Sequence, residues 1–368
     1  MASNLPPSQT AVALPGKRQP LTSISVPVYA PSAGEITVKV SYTASTPLDL
    51  HRADGGLAIS SWPAQSGSGG AAGTIVAVGA SGDLKDLKIG DKVSVFAFHG
   101  GKEANHQEYI TLPAYLASKI PEGISEPAAA TVNVNLVTVF HTATADLGLD
   151  LPWPVPEGYA PREADKNILI WGASSSVGVY AVQVFRHWGY KNILAVSSAR
   201  HHAWLREMGA TEVFDYNDAR VVSSIKAYVG DKGIPFVIDC IGSLTGTLEP
   251  LKKVASRGSK VAVMLPVIVK DATDDEEPEY EMDVARCGGD EWEEGVEVRG
   301  VRTHFYEQNE MFKQILQPEI LPALLAQGVI RPNRFREIQG ANMVERAQNA
   351  LDQLRAKAVS GERLVWRV

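Results

Sequence analysis

Cysteine is nearly missing from this chain: two occur in 368 residues, Cys240 in an apolar run and Cys287 in a glycine-rich stretch. So few exclude a disulfide framework and point to a reducing, cytoplasmic setting. Long apolar runs are missing too. Nothing approaches the roughly 18 consecutive apolar residues of a bilayer span. The opening MASNLPPSQTAVALPGKRQP carries prolines and polar residues where a secretion signal has an apolar centre. Basic charge is in short supply. With 35 Lys and Arg against 42 Asp and Glu, the net charge is −7 and the basic residues are scattered, so neither nucleic acid nor an anionic membrane is an expected partner. The chain also has no internal repeat.

What is present is patterned. With 45% hydrophobic residues the chain can build two cores, since single domains mostly stop near about 250 residues. Between Ile36 and Lys119 the runs ITVKVSYTAS, GTIVAVGA, DKVSVFAF and QEYITLP alternate with Gly, Asp and Pro turns, which predicts a β-rich domain. A helix is expected over Ile124 to Asp150. After a proline-rich loop come βα units with strands near Ile168, Ile193, Val213 to Tyr216, Pro235 to Gly242 and Ser259 to Val267. Asp271 to Asp283 is acidic and reads as a solvated loop. Helical patterns over Glu307 to Gln327 and Met343 to Ala358 precede the strand-like SGERLVWRV.

The segment KNILIWGASSSVG, Lys166 to Gly178, carries the clearest chemistry. A buried strand breaks at Gly172, passes through Ser174, Ser175, Ser176 and Val177, and reaches Gly178 where a helix can begin. Such a turn lets backbone N–H groups approach a pyrophosphate, and the positive end of the following helix stabilises its charge. The full G-x-G-x-x-G pattern is absent, because Ser175 sits midway between the two glycines. Small-residue turns also occur with no ligand, so the context decides. A helix and a second apolar strand follow, and the ribose-reading position falls about 20 residues past the turn. There stand Ser197, Ser198, Ala199 and Arg200, with no Asp or Glu. Hydroxyls and a guanidinium suit a 2′-phosphate, so the expected cofactor is NADPH.

These features resemble the medium-chain dehydrogenase/reductase superfamily over almost the whole chain. The markers are Gly67 to Gly79, the Gly90-Asp91-Lys92-Val93 turn, Ala129 to Thr138, the GASSSVG loop, Met208 to Tyr216 and Ser360 to Val365. Within the superfamily the chain is most similar to the zinc-free quinone and enoyl reductases, particularly the fungal trans-acting enoyl reductases of polyketide pathways. The resemblance implies an α/β protein. A GroES-like β-rich catalytic domain would be formed by residues 1–130 and 306–368, and a Rossmann doubly wound parallel-sheet domain by residues 131–305. It also places Thr138 at the nicotinamide ribose, Gly242 and Leu265 along the cofactor crevice, and Tyr216 beside the adenine phosphate.

Zinc is where the sequence departs from the alcohol-dehydrogenase branch. That branch needs a Cys, a His-Glu pair and a later Cys. The corresponding positions here are Thr46, Ser68 with Gly69, and the stretch around Val134 and Asn135. His99 and His106, in a polar loop without cysteines, are expected at the surface, and no metal is expected. Hydride transfer to an activated acceptor is then the natural chemistry. The expected partner is a small-molecule substrate: an enone, an enoyl thioester on a carrier, or a quinone. Thr46-Pro47-Leu48-Asp49 resembles the N-P-x-D turn at the nicotinamide, and the resemblance makes Pro47 a cofactor contact. His51, where the relatives commonly carry Lys, is the candidate proton donor, with Ser45 and solvent as alternatives. A non-catalytic accessory or structural protein of the same fold is the competing reading, since fold alone does not set function. Charged residues on Gly295 to Phe305, the expected last Rossmann strand, favour a monomer, which a light-scattering mass would check.

Overall fold

The computed structural model describes residues 5–273, 275–288 and 291–368, in two compact units: Met1–Val134 with Glu307–Val368, and Asn135–Tyr306. Among the described residues no helix is long and apolar enough to cross a membrane.

The first unit is built from β1 (Ser8–Leu14), β2 (Thr22–Pro27), β3 (Glu35–Ser45), β4 (Ala64–Gln65), β5 (Gly69–Val78), β6 (Lys92–Ala97), β7 (Tyr109–Pro113) and β8 (Ala117–Lys119). Helix α1 (Pro47–Gly55) follows β3 directly. The spine is β3, whose β-branched residues fit a pleated, largely buried strand. It pairs antiparallel with β5, β7 and the closing strand Arg363–Arg367. Register decides which ends meet. Thr43 faces Ala71 and Gly69 faces Ala97, so the end of β3, the start of β5 and the end of β6 share one edge. Below α1, Leu14, Leu21, Ala53, Leu351 and Trp366 form a core with helix Met343–Arg355.

The second unit is built on β9 (Asn167–Trp171), β10 (Asn192–Ser197), β11 (Glu212–Asp215), β12 (Phe236–Asp239), β13 (Lys260–Met264) and β16 (Glu297–Val301), with a hairpin of β14 (Val267–Lys270) and β15 (Glu279–Glu281) between the last two. The six form a parallel sheet in the order β11–β10–β9–β12–β13–β16. Every residue of β9 is buried, as both faces of a parallel sheet are covered. The chain runs outward from β9 through β10 to β11, then returns to β12 on the other side. That reversal opens a crevice at the carboxyl ends of the strands, the place where nucleotide folds bind ligands.

Three expectations need correction. The helix expected over Ile124 to Asp150 is two helices, α2 (Glu126–Ala129) and α3 (Asn133–His141), followed by a wider turn Thr142–Asp146. At the break the Thr131 hydroxyl donates to the Ala128 carbonyl at 2.7 Å, a local bond that competes with the helix ladder. The helix over Glu307 to Gln327 runs unbroken from 310 to 326 but is not regular: Leu316–Ile320 is a wider turn between Glu310–Ile315 and Leu321–Ala326, where Pro318 and Pro322 have no N–H to donate. The acidic stretch is not wholly loop, since Glu279–Glu281 pairs with Val267–Lys270; its Asp274 lies outside the described residues.

Candidate active site

The carboxyl edge of the parallel sheet gathers the cofactor candidates, because parallel strands end on the same side. The turn after β9 begins at Gly172, whose N–H donates to the Val196 carbonyl at 3.0 Å. Its φ is +76°, and a Cβ there would lie 2.6 Å from Ile241 Cγ1. Only glycine fits that backbone. Ser175 caps helix α4 (Ser176–His187), accepting the Gly178 N–H at 3.2 Å. No carbonyl one turn back reaches the N–H groups of Ser176 and Val177 in the first turn, which leaves them as donors at the positive end of the helix. Ser174, Ser175, Ser176 and Val177 are half-buried and Gly178 is buried.

The loop opposite this turn hangs on a group that sequence reasoning missed. Asp239, fully buried at the end of β12, accepts from the Ile241 N–H at 3.0 Å, the Gly242 N–H at 3.1 Å and the Thr247 hydroxyl at 2.5 Å. Burial raises its pKa to about 6 against the opposing pull of these three bonds. The bonds set Ile241 against Gly172, and Gly242 at φ +68° against the Met264 carbonyl. Next along the chain, the Cys240 thiol hydrogen-bonds Ser175, and burial pushes it up, so it stays protonated. Leu265, just past β13, is half-buried against the core.

At the end of β10 the residues divide by burial. Ser197 is fully buried and its hydroxyl donates to the Ser198 carbonyl at 3.2 Å, which turns it away from a ligand. Ser198 Oγ is buried with no hydrogen-bond partner, and Arg200 is exposed. An orphaned hydroxyl beside an exposed guanidinium fits a phosphate group. Asp215, at the end of β11, was also missed. Its pKa is lowered, chiefly by the Asn217 N–H, with smaller contributions from His202 and the Ala199 N–H. Tyr216 follows it, 48% exposed.

Thr138 in α3 is buried, and its Oγ1 lies 2.9 Å from Oγ1 of Thr303, just past β16. Thr303 has no motif to announce it. One turn on, burial lowers His141 to about 4 and raises Asp146 to about 6. His141 is therefore neutral near pH 7, and its 3.9 Å approach to Asp146 is not an ion pair.

In the first unit Thr46 caps α1, its Oγ1 accepting the Leu48 N–H at 3.1 Å while Asp49 accepts the Thr46 N–H at 2.7 Å. Pro47 is the first helical residue and is exposed; His51, in the second turn, is half-buried. Ser45 is buried and accepts the Trp366 Nε1–H at 3.0 Å, so it is a packing hydroxyl rather than an exposed donor. His106 is the clear correction. It is buried, not superficial, with its ring 4.8 Å from that of Trp366. His99 pairs with Glu103 at 2.8 Å. Among the described residues no group of three or more His, Cys, Asp or Glu is placed to hold a metal ion.

A parallel sheet of this order, carried on one chain with a GroES-type β unit, defines a nucleotide-binding oxidoreductase architecture. Residues 32–122 match the alcohol dehydrogenase GroES-like domain, and residues 176–273 match the zinc-binding dehydrogenase family. The chain is 32% identical to trans-enoyl reductase tazE of Aspergillus terreus over 234 residues, covering 61% of this chain and 74% of that one. It is 27% identical to trans-enoyl reductase RAP2 of Pyricularia oryzae over 377 residues, 98% of each chain. Among solved structures it resembles Escherichia coli quinone oxidoreductase complexed with NADPH, with a TM-score of 0.70 and 18% identity over 98% of this chain and 100% of that one. The chain belongs to the medium-chain dehydrogenase/reductase superfamily, a class of oxidoreductases.

Asp239 generates a pH prediction. Its folded pKa, about 6, lies above the ordinary aspartate value of 3.8, so the native state binds the extra proton between them and stability falls as pH rises through that window. Asp239→Asn keeps an acceptor for the two N–H groups and cannot ionise. The drop in stability from about pH 4.5 to about 7.5, read by denaturant unfolding, should shrink by up to about 2 kcal/mol relative to wild type. An unchanged drop would show that Asp239 does not carry it.

Proposed function

We propose that this protein is an NADPH-dependent reductase that delivers hydride to an activated double bond, in an enone or enoyl thioester, or to a quinone, without zinc. The observation that carries the reading is the end of β10, where an unpartnered Ser198 hydroxyl and an exposed Arg200 stand on a turn with no Asp or Glu of its own, while Asp215 of the neighbouring strand is turned to the Ala199 N–H. The names of the trans-enoyl reductase relatives and of the NADPH-bound quinone oxidoreductase support it.

When bound, NADPH supplies the hydride. The chain's own residues hold and orient. Ser176 and Val177 present N–H groups to the pyrophosphate, and the turn at Gly172 lets the backbone come close. Ser198 and Arg200 take the 2′-phosphate, while Ser197 supports the turn from inside. Gly242 and Leu265 wall the crevice, and Tyr216 borders the adenine side. Thr138, held by Thr303, fixes the ribose end with a hydroxyl whose rotation is already limited. His51 donates to the enolate oxygen that forms as hydride reaches the β-carbon. The substrate is a small molecule, free or on a carrier.

Thr46, spent on capping α1, and Ser68 with Gly69 leave no ligand set at the catalytic zinc positions. Reduction should therefore persist at the full rate after exhaustive chelation and dialysis; loss that added zinc restores would overturn zinc independence. Arg200→Ala should weaken NADPH binding by about 1.5–3 kcal/mol, the scale of a charged hydrogen bond, and leave NADH nearly unaffected. Titration with both cofactors checks this, and equal losses would show that the guanidinium does not read the phosphate. His51→Ala should lower kcat for an enone about 10²-fold with NADPH affinity retained. A wild-type rate in that variant would make His51 a pocket wall and assign the proton to solvent.

A further inference from the structure

Beneath α1 lies a small cavity, aliphatic on one side and polar on the other, that the proposed chemistry does not use. It measures about 10 Å³, and Ser45, Asp49, Ser66 and His106 line it together with aliphatic side chains that include Leu14 and Leu351. Asp49 and His106 are only 7% and 2% exposed. Each keeps one buried atom without a hydrogen-bond partner, Asp49 Oδ1 and His106 Nε2. Their other atoms are committed. Asp49 Oδ2 closes the cap of α1 on the Thr46 N–H at 2.7 Å, and His106 Nδ1 lies 3.1 Å from Ser66 Oγ. Two orphaned polar atoms facing one small space are costly unless something bridges them, and the space has about the volume of a single water.

We propose that one water molecule is a built part of this site, accepting from His106 Nε2–H and donating to Asp49 Oδ1, and that Asp49 and His106 are thereby positioning residues for the helix that carries His51. The hydrogens balance. Burial, the largest influence, lowers the pKa of His106; Asp49 opposes it and Arg52 reinforces it, so the ring is neutral near pH 7 and has one N–H. The Ala44 carbonyl also favours a charged ring, although Nε2 has no partner in hydrogen-bond geometry. With the Ser66 hydroxyl as the donor to Nδ1, the ring hydrogen sits on Nε2, the tautomer this arrangement requires. Ser45 Oγ already accepts from Trp366 Nε1, so its own hydrogen is available to the water oxygen. The water then has about three hydrogen bonds, the usual number for a buried one. Contact with Trp366 at 4.8 Å holds the imidazole in place.

The effect on α1 comes from its length. The helix has nine residues, and its cap and this water meet at the same carboxylate, so a tilt of Asp49 is passed to His51 half a turn later. This positioning role rests on the reductase reading of His51; the water itself does not.

Nitrogen-15 NMR of the histidine rings and a high-resolution crystal structure of the full chain test the water. The expected result is the Nε2–H tautomer for His106 and ordered density within hydrogen-bond distance of both Asp49 Oδ1 and His106 Nε2. The Nδ1–H tautomer, or a cavity without density, overturns it. For the positioning role, His106→Leu should lower kcat about tenfold at unchanged KM for NADPH, and His106→Gln, whose amide still reaches the water, should restore most of the loss. A wild-type kcat in His106→Leu, or no rescue by His106→Gln, overturns that role. Should the wild-type protein reduce no enone at all, the reductase reading fails, while the tautomer and the density still decide the water.

Discussion

The nucleotide half of this protein depends on one close approach, between the backbone at Gly172 and the side chain of Ile241. The approach exists only because residue 172 has no Cβ and adopts a φ of +76°. A strand can then end sharply and feed α4, with Ser175 in place to cap it. From the other side Ile241 is held there by Asp239, a carboxylate buried at a cost that its three hydrogen bonds do not fully offset. The crevice is thus built by strain-free glycine on one strand and a costly carboxylate on the next. Its three hydrogen bonds fix the geometry of the loop.

The β unit uses buried polarity in a similar way. Its sheet edge brings together the ends of β3 and β6 and the start of β5, and the loops there carry Thr46, Asp49, Ser66 and His106. Thr46, just past the end of β3, is engaged in the cap of α1. The capping box orients α1 and so His51.

Much of this was legible in the chain. The small-residue turn after an apolar strand marked where β9 ends and α4 begins, because a glycine turn and a helix cap are local properties. What escaped was non-local. Thr303 meets Thr138 across 165 positions of sequence. Asp239 reads as one more residue in a buried strand until its loop closes over it. His106, which looked like a surface histidine in a polar loop, is covered by Trp366 from the closing strand. Ser197 and Ser198 look alike in sequence, yet the hydroxyl of one is bonded to a carbonyl and that of the other is buried without a partner.

The sequence by itself therefore determined the class of fold, the order of the βα units and the position of the strand-to-helix turn at Gly172, since these come from periodicity, turn residues and caps that act over a few positions. The tertiary structure alone decided which polar groups are buried and which partners they find. Burial is set by segments distant in sequence packing together, and a hydroxyl, imidazole or carboxylate changes its proton affinity and its role once water is removed from it.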